Sequence, residues 1–335
     1  MKKLFISMLA VAALASCSQE DVIVADKGDL IGFNSFVENS TRAAAATDPS
    51  YSTSGVEGDG VALTKFNVYG AVNGVNIFNG NEVTKGEATY NSAWTLNGAK
   101  QYWINGADYE FVAVVDGNKK VGENVITSTA LNASGIPTAI TYNSDGATDL
   151  LCARVERPDN TDTTVVPFTF SHLLSKVKFS VKNTTAAAAT NYRIVLTSAK
   201  ITGALKSNTY NVGETSAWAT VNTTDNTKDF TLENLTVNSA ATQFHSTELL
   251  LLPGVNVNVV VTADIEATDN GTTWKKVSDM SKTFTNVLGE GKTLVANNAY
   301  HFAVSLGIGT EIQFTATTMP EWADGDGDDE TPLQM

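Results

Sequence analysis

The chain has 335 residues, 42% of them hydrophobic, which is enough for a sizeable core and favours two domains over one. Its formal net charge is −14 and its isoelectric point is about 4.6, so a phosphate backbone would be repelled and nucleic-acid binding is excluded. Only 17% of the residues are charged, whereas Thr, Asn, Ser, Ala, Val and Gly dominate, which is typical of extracytoplasmic all-β proteins with short strands.

The first 16 residues have the pattern of a secretory signal peptide, with two lysines, an apolar run and then small residues. The apolar run is too short to span a bilayer comfortably. Residues 14–17 read Leu-Ala-Ser-Cys, which matches the bacterial lipobox, in which the cysteine is acylated and becomes the first residue. We predict that residues 1–16 are removed, that Cys17 carries the lipid anchor, and that residues 17–29 form a polar tether. An ordinary signal peptide with an incidental cysteine is the alternative.

The first predicted strand covers residues 30–37, which read Leu-Ile-Gly-Phe-Asn-Ser-Phe-Val. Ile31, Phe33 and Val37 would lie on one face of this strand, with Ser35 among them. We expect this face to belong to the core of the first domain.

Residues 38–55 predict a loop, because they contain Asn, Ser, Thr, four consecutive alanines and an Asp-Pro pair. Arg42 is the first arginine of the chain and the only one in this loop, and Ala43 follows it. The next two, Arg154 and Arg157, lie near predicted strands. Since proteases cut exposed, extended loops, we expect Arg42 to be the most accessible of the three and to be the processing site.

The rest of the first half alternates between short apolar segments and turn residues, with Asn79-Gly80 and Asp116-Gly117 as predicted turns. Cys152 lies in one of the apolar segments, and it has no disulfide partner if Cys17 is acylated. We therefore expect Cys152 to be a small buried hydrophobic residue. Several short strands around one core predict a β-sandwich, with strands at residues 66–72, 75–78, 102–104, 108–115, 149–155 and 165–170.

Residues 170–181 lie at the middle of the chain and read Phe-Ser-His-Leu-Leu-Ser-Lys-Val-Lys-Phe-Ser-Val. From Lys176 onward, apolar and polar residues alternate strictly, so Val177, Phe179 and Val181 would share one face. The two lysines and the serine between them would then face water. The pattern therefore predicts a half-buried strand with one wet face.

Polar segments on both sides of this strand divide the chain into comparable halves. We predict an N-terminal β-sandwich at residues 30–168, a C-terminal β-sandwich at 169–322 and an acidic tail at 323–335. No segment after the signal peptide has helical periodicity. The strands predicted for the second half cover residues 176–181, 192–197, 199–205, 230–237, 248–253, 255–265, 274–277, 282–287, 300–306 and 312–318.

Catalytic and metal-binding patterns are missing from the sequence. The acidic tail resembles a calcium loop but lacks the glycine and the final acid that an EF-hand requires, so a solvated terminus is the better interpretation. Of the three histidines, His172, His245 and His301, the first and last are interpreted as packed structural residues. Paired carboxylates for glycoside hydrolysis stay open as an alternative, because their pairing in space is invisible in a sequence. We expect no enzyme activity and no cofactor or metal.

Five tryptophans could form a platform on which sugars stack, although packing in the core and at the domain seam is the favoured interpretation. They are Trp94, Trp103, Trp218, Trp274 and Trp322.

The central motif, together with several weaker patterns in a fixed order, resembles the fimbrillin family, the pilins and minor pilins of type V pili. The motif segments are Phe170 to Val181, Tyr102-Trp103, Phe111 to Ala113, Asp149 to Leu151 with Ala153, Leu250 to Pro253, Asn298 to Phe302, Ile312 to Ala316 and Glu321-Trp322. The resemblance implies two tandem transthyretin-like β-sandwich domains in a protein that is exported as an outer-membrane lipoprotein.

The resemblance also implies a route of assembly. An arginine-specific protease cuts the loop after the first strand, here between Arg42 and Ala43, and the strand carrying Ile31, Phe33 and Val37 is lost. Another pilin subunit then fills the vacated groove with its own strand. Residues 323–335 are acidic and contain a proline, so they make a poor donor strand.

Two alternatives for the donor follow. Either the strand with Ile312, Phe314 and Ala316 is donated, or the subunit only accepts a strand, as a tip or accessory pilin would. The predicted function is thus a subunit of a cell-surface pilus that supports adhesion or biofilm formation. The alternative is a monomeric surface lipoprotein that binds glycans through exposed aromatic residues.

Overall fold

The computed structural model of the chain describes residues 28–37, 50–51, 61–85, 94–116, 126–185, 191–213, 217–232, 235–237, 243–244, 248–319 and 331–332. Within these ranges the regular structure consists of 24 strands, without a helix. The predicted all-β fold is confirmed there. Many Val, Ile, Thr and aromatic residues at alternating positions favour strands over helices.

The strands of the first half differ widely in length. They are β1 (Phe33–Val37), β2 (Ser50–Tyr51), β3 (Val61–Ala62), β4 (Lys65–Val72), β5 (Val75–Lys85), β6 (Trp94–Leu96), β7 (Ala107–Asp116), β8 (Ile126–Leu131), β9 (Pro137–Asn143), β10 (Leu150–Asn160) and β11 (Val166–His172).

The second half begins with the central strand β12. Its strands are β12 (Ser175–Asn183), β13 (Tyr192–Leu205), β14 (Ser207–Asn211), β15 (Ala217–Trp218), β16 (Thr227–Leu232), β17 (Leu235–Val237), β18 (Gln243–Phe244), β19 (Leu249–Leu251), β20 (Asn258–Ala267), β21 (Lys275–Phe284), β22 (Ala299–Leu306), β23 (Gln313–Met319) and β24 (Thr331–Pro332).

A seven-stranded sheet contains most of the first half, in the order β1-β11-β10-β7-β4-β5-β6. The sheet curls until its two ends approach each other, because the chain just before β1 pairs with residues 101–103, which follow β6. Its inner face encloses a core rich in aromatic side chains, among them Phe66, Phe111 and Phe168.

A four-stranded sheet, β15-β14-β9-β8, shares a second core with the outer face of the seven-stranded sheet. Tyr142 of β9 and Val112 of β7 both belong to this core. Strands β14 and β15 come from the second half of the chain, so this sheet combines strands from both sides of the boundary predicted at 168/169. That boundary stays a prediction.

Two further sheets form the second half, and the core between them is continuous with the second core described above. One has the order β18-β12-β22-β23-β24 with β19 beside β12, and the other has the order β16-β13-β20-β21 with β17 beside β13. Phe179 and Phe302 contribute from the first sheet, and Ile194 and Val261 from the second. This arrangement of two facing sheets is a β-sandwich.

The prediction that one face of β12 is exposed to water is wrong, because all residues from Ser175 to Val181 are buried. Lys176 and Lys178 are 0% and 4% exposed. The carboxylate of Glu248, just before β19, lies 2.9 Å from the Lys176 ammonium and 3.5 Å from that of Lys178. Buried lysines need such a partner, and the partner comes from a segment far away in the sequence.

The Asn79-Gly80 pair, predicted as a turn, lies inside β5 as a bulge. Gly80 has a φ of 71°, and the register with β4 shifts beside it. A Cβ on Gly80 would lie 3.0 Å from the hydroxyl of Tyr69. Both the positive φ and this close approach favour glycine at the position. The hairpin turn between β4 and β5 is Asn73-Gly74, where both residues have positive φ, as a type I′ turn needs.

Other boundaries also differ from those predicted. The segments 192–197 and 199–205 form one bulged strand, β13, and the segments near 274–277 and 282–287 form one strand, β21. Strands β8 and β9 were missed, and residues 102–104 make only an isolated bridge. Cys152 is buried and free, as predicted, and burial raises the pKa of its thiol to about 12.

Candidate functional site

Strand β1 connects the two ends of the seven-stranded sheet. On one side it runs parallel to β11, from the pair Phe33–Val166 to the pair Val37–Phe170. On the other side the preceding residues pair with the chain after β6, where Ile31 N donates to Gln101 O at 2.9 Å. All other strand pairs of this sheet are antiparallel. Removing β1 would therefore leave unpaired backbone groups on both sides.

Phe33 places its ring at the centre of the aromatic core. The ring of Phe168 stacks on it at a centroid distance of 5.8 Å, and Phe66, Phe78 and Phe111 approach it edge-on at 6.3, 5.6 and 6.2 Å. Four rings around one ring form a pocket shaped for an aromatic side chain. Phe33 is 6% exposed, so its removal would open an apolar groove.

The neighbouring residues of β1 follow the alternation expected from the sequence. Ile31 and Ser35 are buried like Phe33, whereas Asn34 is exposed. Val37 belongs to β1, but its side chain lies outside the described residues. The inward face of the strand thus carries Ile31, Phe33 and Ser35.

Arg157 holds the loop that leads into β11. Its guanidinium group donates to the carbonyl oxygens of Asp162, Thr164 and Val165 at 3.3, 3.1 and 2.9 Å, and it lies 5.0 Å from the ring centre of Trp103. Hydrogen bonds from Thr164, with a smaller contribution from the charge of Arg157, lower the pKa of the exposed Asp162 carboxyl. These contacts hold the start of β11, the strand with which β1 pairs, without involving β1 itself.

The three arginines that the structure describes are all engaged in contacts. Arg154 pairs with Glu110 and Glu156, and Arg193 lies 2.6 Å from Glu266 and stacks over a tryptophan. Arg157 makes the contacts given above. Arg42, Ala43 and the predicted lipid attachment residue Cys17 lie outside the described residues.

The donor-strand candidates are packed in the C-terminal sandwich. Ile312, Phe314 and Ala316 are all buried, and the Phe314 ring contacts those of Phe284 and Phe302 at 5.1 and 5.6 Å. Strand β23 pairs with β22 along its whole length, but with β24 only at Thr317 and Thr318. Within the described part of the chain, most of one edge of β23 therefore lacks a strand neighbour.

Potential metal ligands and the buried histidines are the remaining candidates for chemistry in the described ranges. No three His, Cys, Asp or Glu side chains there are placed to hold a metal ion. His172 lies 2.6 Å from Asp149, and His301 lies 2.6 Å from the hydroxyl of Ser180; both histidines are buried, as packed structural residues are. His245 lies outside the described ranges.

The tryptophans do not form an exposed platform where the structure describes them. Trp103 is buried, and Trp94, Trp218 and Trp274 are partly buried. Trp322 lies outside the described residues.

Several residues of the groove were not identified from the sequence. The ring pocket is built by four phenylalanines from β4, β5, β7 and β11, and the second edge by residues 101–103. The apolar alternation in each strand signals a core face, but it does not indicate that the four faces meet at Phe33.

The described residues contain no helix with the length and apolar character needed to cross a membrane. The model of the fimbrillin-like family matches residues 41–322. No match was found among curated proteins.

Two solved structures show a similar fold. A fimbrial protein from Bacteroides vulgatus is 14% identical with a TM-score of 0.58, and the match covers 88% of this chain and 100% of that one. A candidate cell adhesion protein from Bacteroides uniformis is 16% identical with a TM-score of 0.51, covering 88% and 98%. At such identities the likeness concerns the fold.

Proposed function

Since the chain belongs to the fimbrillin-like family, we propose that it is a structural, tip or accessory subunit of a cell-surface type V pilus, supporting adhesion or biofilm formation. In this proposal the protein is exported as an outer-membrane lipoprotein through Cys17. An arginine-specific protease then cuts between Arg42 and Ala43, and the subunit joins other pilin subunits in the fimbrium by strand exchange.

The position of β1 carries the proposal. Its backbone pairs with two separate segments, and its side chains fill the centre of an aromatic core. Burying Ile31 and Phe33 contributes roughly 1.5 to 3 kcal/mol each. Loss of β1 would open an apolar groove between two unpaired edges, and an extended strand from another subunit can satisfy both.

The arrangement of the arginines supports a single processing site. Arg154, Arg157 and Arg193 are held by carboxylates or carbonyl groups on folded strands or beside them. A protease needs an exposed stretch of chain whose backbone is free, and these positions are paired with neighbouring strands in a sheet. Arg42 follows β1 directly in the sequence, so cleavage there would separate β1 from the rest of the domain.

The features of strand β23 argue both for and against its being the donated strand. Its alternating residues Ile312, Phe314 and Ala316 have the donor pattern, but they are packed in their own core. Donation would need β23 to leave its pairing with β22. A subunit that only accepts a strand, as a tip or accessory pilin does, would avoid that cost.

The proposal is tested by cutting the full-length protein with an arginine-specific protease and measuring its size by size-exclusion chromatography before and after, alone and with candidate pilin partners. The cut protein should assemble or capture a partner, and a peptide copying residues 30–37 should inhibit this. The Arg42→Ala variant is the control and should stay monomeric. Cut protein that stays monomeric with every partner would contradict the proposal.

A further inference from the structure

Ser35 is an unfavourable residue for the position that it occupies. It is 3% exposed and lies on the inward face of β1 with Ile31 and Phe33. Its hydroxyl oxygen has no hydrogen-bond partner among the residues that the structure describes. A buried hydroxyl has lost its contacts with water, so without a partner it destabilises the bound strand.

Another buried serine shows the usual arrangement. Ser180 on β12 is 1% exposed, and its hydroxyl lies 2.6 Å from a ring nitrogen of His301. Ser35 lies on the same face of β1 as Ile31 and Phe33, which belong to the aromatic core. A small apolar side chain would fill the Ser35 position without this loss.

The inward residues of β23 repeat those of β1 with one difference. Ile312, Phe314 and Ala316 have the same order and spacing as Ile31, Phe33 and Ser35. All three are buried in the C-terminal core. Alanine thus stands where β1 has the serine, and a strand with this pattern would bring isoleucine, phenylalanine and a methyl group to the three inward positions.

The outward positions of β1 impose few demands on such a strand. Asn34 is exposed. A Cβ placed on Gly32 would lie 3.1 Å from Cγ1 of Val165, and Val165 is itself 48% exposed and can move aside. Thr315 and Gln313, the corresponding outward residues of β23, can therefore be accommodated.

We propose that the β1 groove selects for a small apolar residue at the Ser35 position, and that its preferred occupant is an Ile-x-Phe-x-Ala strand of a second pilin subunit running in the direction of β1. This inference rests on the proposed strand exchange and names the feature that drives it. An incoming strand of this pattern can replace β1 in the groove, because it makes the same ring contacts without burying the hydroxyl that Ser35 buries.

The first test uses the uncut, full-length protein. Ser35→Ala should raise the melting temperature by about 2 to 4 °C, because the buried hydroxyl is removed. Ser180→Ala should lower it, since that serine has a partner, and the exposed Ser128→Ala should leave it unchanged. A lower melting temperature for Ser35→Ala, or an unchanged one, would overturn the inference.

The second test measures the affinity of labelled peptides for protein cut after Arg42. One peptide copies residues 30–37, a second has the single change Ser35→Ala, a third copies residues 312–318, and a fourth has Phe33→Ala as the negative control. The Ser35→Ala peptide should bind about tenfold more tightly than the native one, a difference of about 1.4 kcal/mol. The peptide of residues 312–318 should also bind more tightly than the native one.

The outcomes separate the two proposals. If the native and Ser35→Ala peptides bind equally, the selection at this position is wrong while strand exchange stands. If no peptide binds the cut protein, both proposals are wrong.

Discussion

The ammonium group of Lys176 lies 2.9 Å from a carboxylate oxygen of Glu248, and the two side chains are 1% and 4% exposed. The same carboxylate lies 3.5 Å from the ammonium group of Lys178. One acidic residue from the segment before β19 therefore lies beside two buried lysines on the central strand and offsets part of their charge. This contact lowers the free-energy cost of burying the lysine face of β12.

Glu248→Leu should destabilise the protein by about 3 to 5 kcal/mol, because two buried lysines lose their carboxylate. Urea unfolding of the variant and the wild type measures the difference. Asp229→Ala is the control, since the Lys200–Asp229 pair at 3.2 Å is largely exposed and should contribute less than about 1 kcal/mol. Equal effects for the two variants would show that burial does not determine the importance of the Glu248 contact.

Phe33→Ala should destabilise the uncut protein by about 3 to 5 kcal/mol, because it empties the centre of the aromatic core. Its neighbour Asn34 is exposed, so Asn34→Ala should change stability by no more than about 0.5 kcal/mol. Thermal or urea unfolding compares the two. A small effect of Phe33→Ala would mean that β1 contributes little to the folded domain.

An arginine-specific protease should cut the full-length protein first between Arg42 and Ala43. N-terminal sequencing of the product should start at Ala43, and the Arg42→Ala variant should resist under the same conditions. The other three arginines are held by the contacts described above. A first cut at Arg154, Arg157 or Arg193 would contradict processing in the predicted loop.

Labelled palmitate should be incorporated into the wild type in bacterial cells but not into Cys17→Ser. Each buried methylene contributes about 0.8 kcal/mol, so several acyl chains hold a protein firmly at a membrane. Cys152→Ser is the matched control and should keep the label, since Cys152 is buried in the fold. Equal labelling of wild type and Cys17→Ser would exclude the lipid attachment.

The stability of the protein should fall above about pH 10 through Tyr142. Burial, with smaller contributions from nearby carboxylates, raises the pKa of Tyr142 well above its usual value of 10.0, and its hydroxyl donates to Thr148 O at 2.5 Å. In the unfolded chain the phenol ionises near pH 10, whereas in the folded protein it stays protonated. The unfolded state therefore binds fewer protons, and stability declines as pH rises from about 10 toward the folded-state pKa.

Tyr142→Phe should flatten this alkaline decline, although it loses the hydrogen bond at neutral pH. Unfolding in urea at several values between pH 8 and 11 measures the slope. An equal slope for the wild type and the variant would show that Tyr142 does not carry the effect. Cys152, whose pKa is raised to about 12, would add to the decline in both proteins.

The sequence alone predicts the parts of the fold that depend on neighbouring residues. Strict alternation identified β12, and the order Ile-Gly-Phe-Asn-Ser identified the inward face of β1 at Ile31 and Phe33. Composition and periodicity were sufficient to predict the all-β class, because residues that favour strands are abundant and helical periodicity is missing. The combined motifs were sufficient for the family.

Only the tertiary structure decides what covers each strand. Alternation placed Lys176 and Lys178 on a wet face, but Glu248 comes from a distant segment and allows that face to be buried. The pair Asn79-Gly80 has the local chemistry of a turn, yet it forms a bulge beside Tyr69, because the neighbouring strand continues past it. Likewise, nothing near Ser35 in the sequence indicates that its hydroxyl is buried without a hydrogen-bond partner among the described residues. A local pattern determines which side chains share a face, whereas burial, charge balance and hydrogen bonding depend on the segments that fold against it.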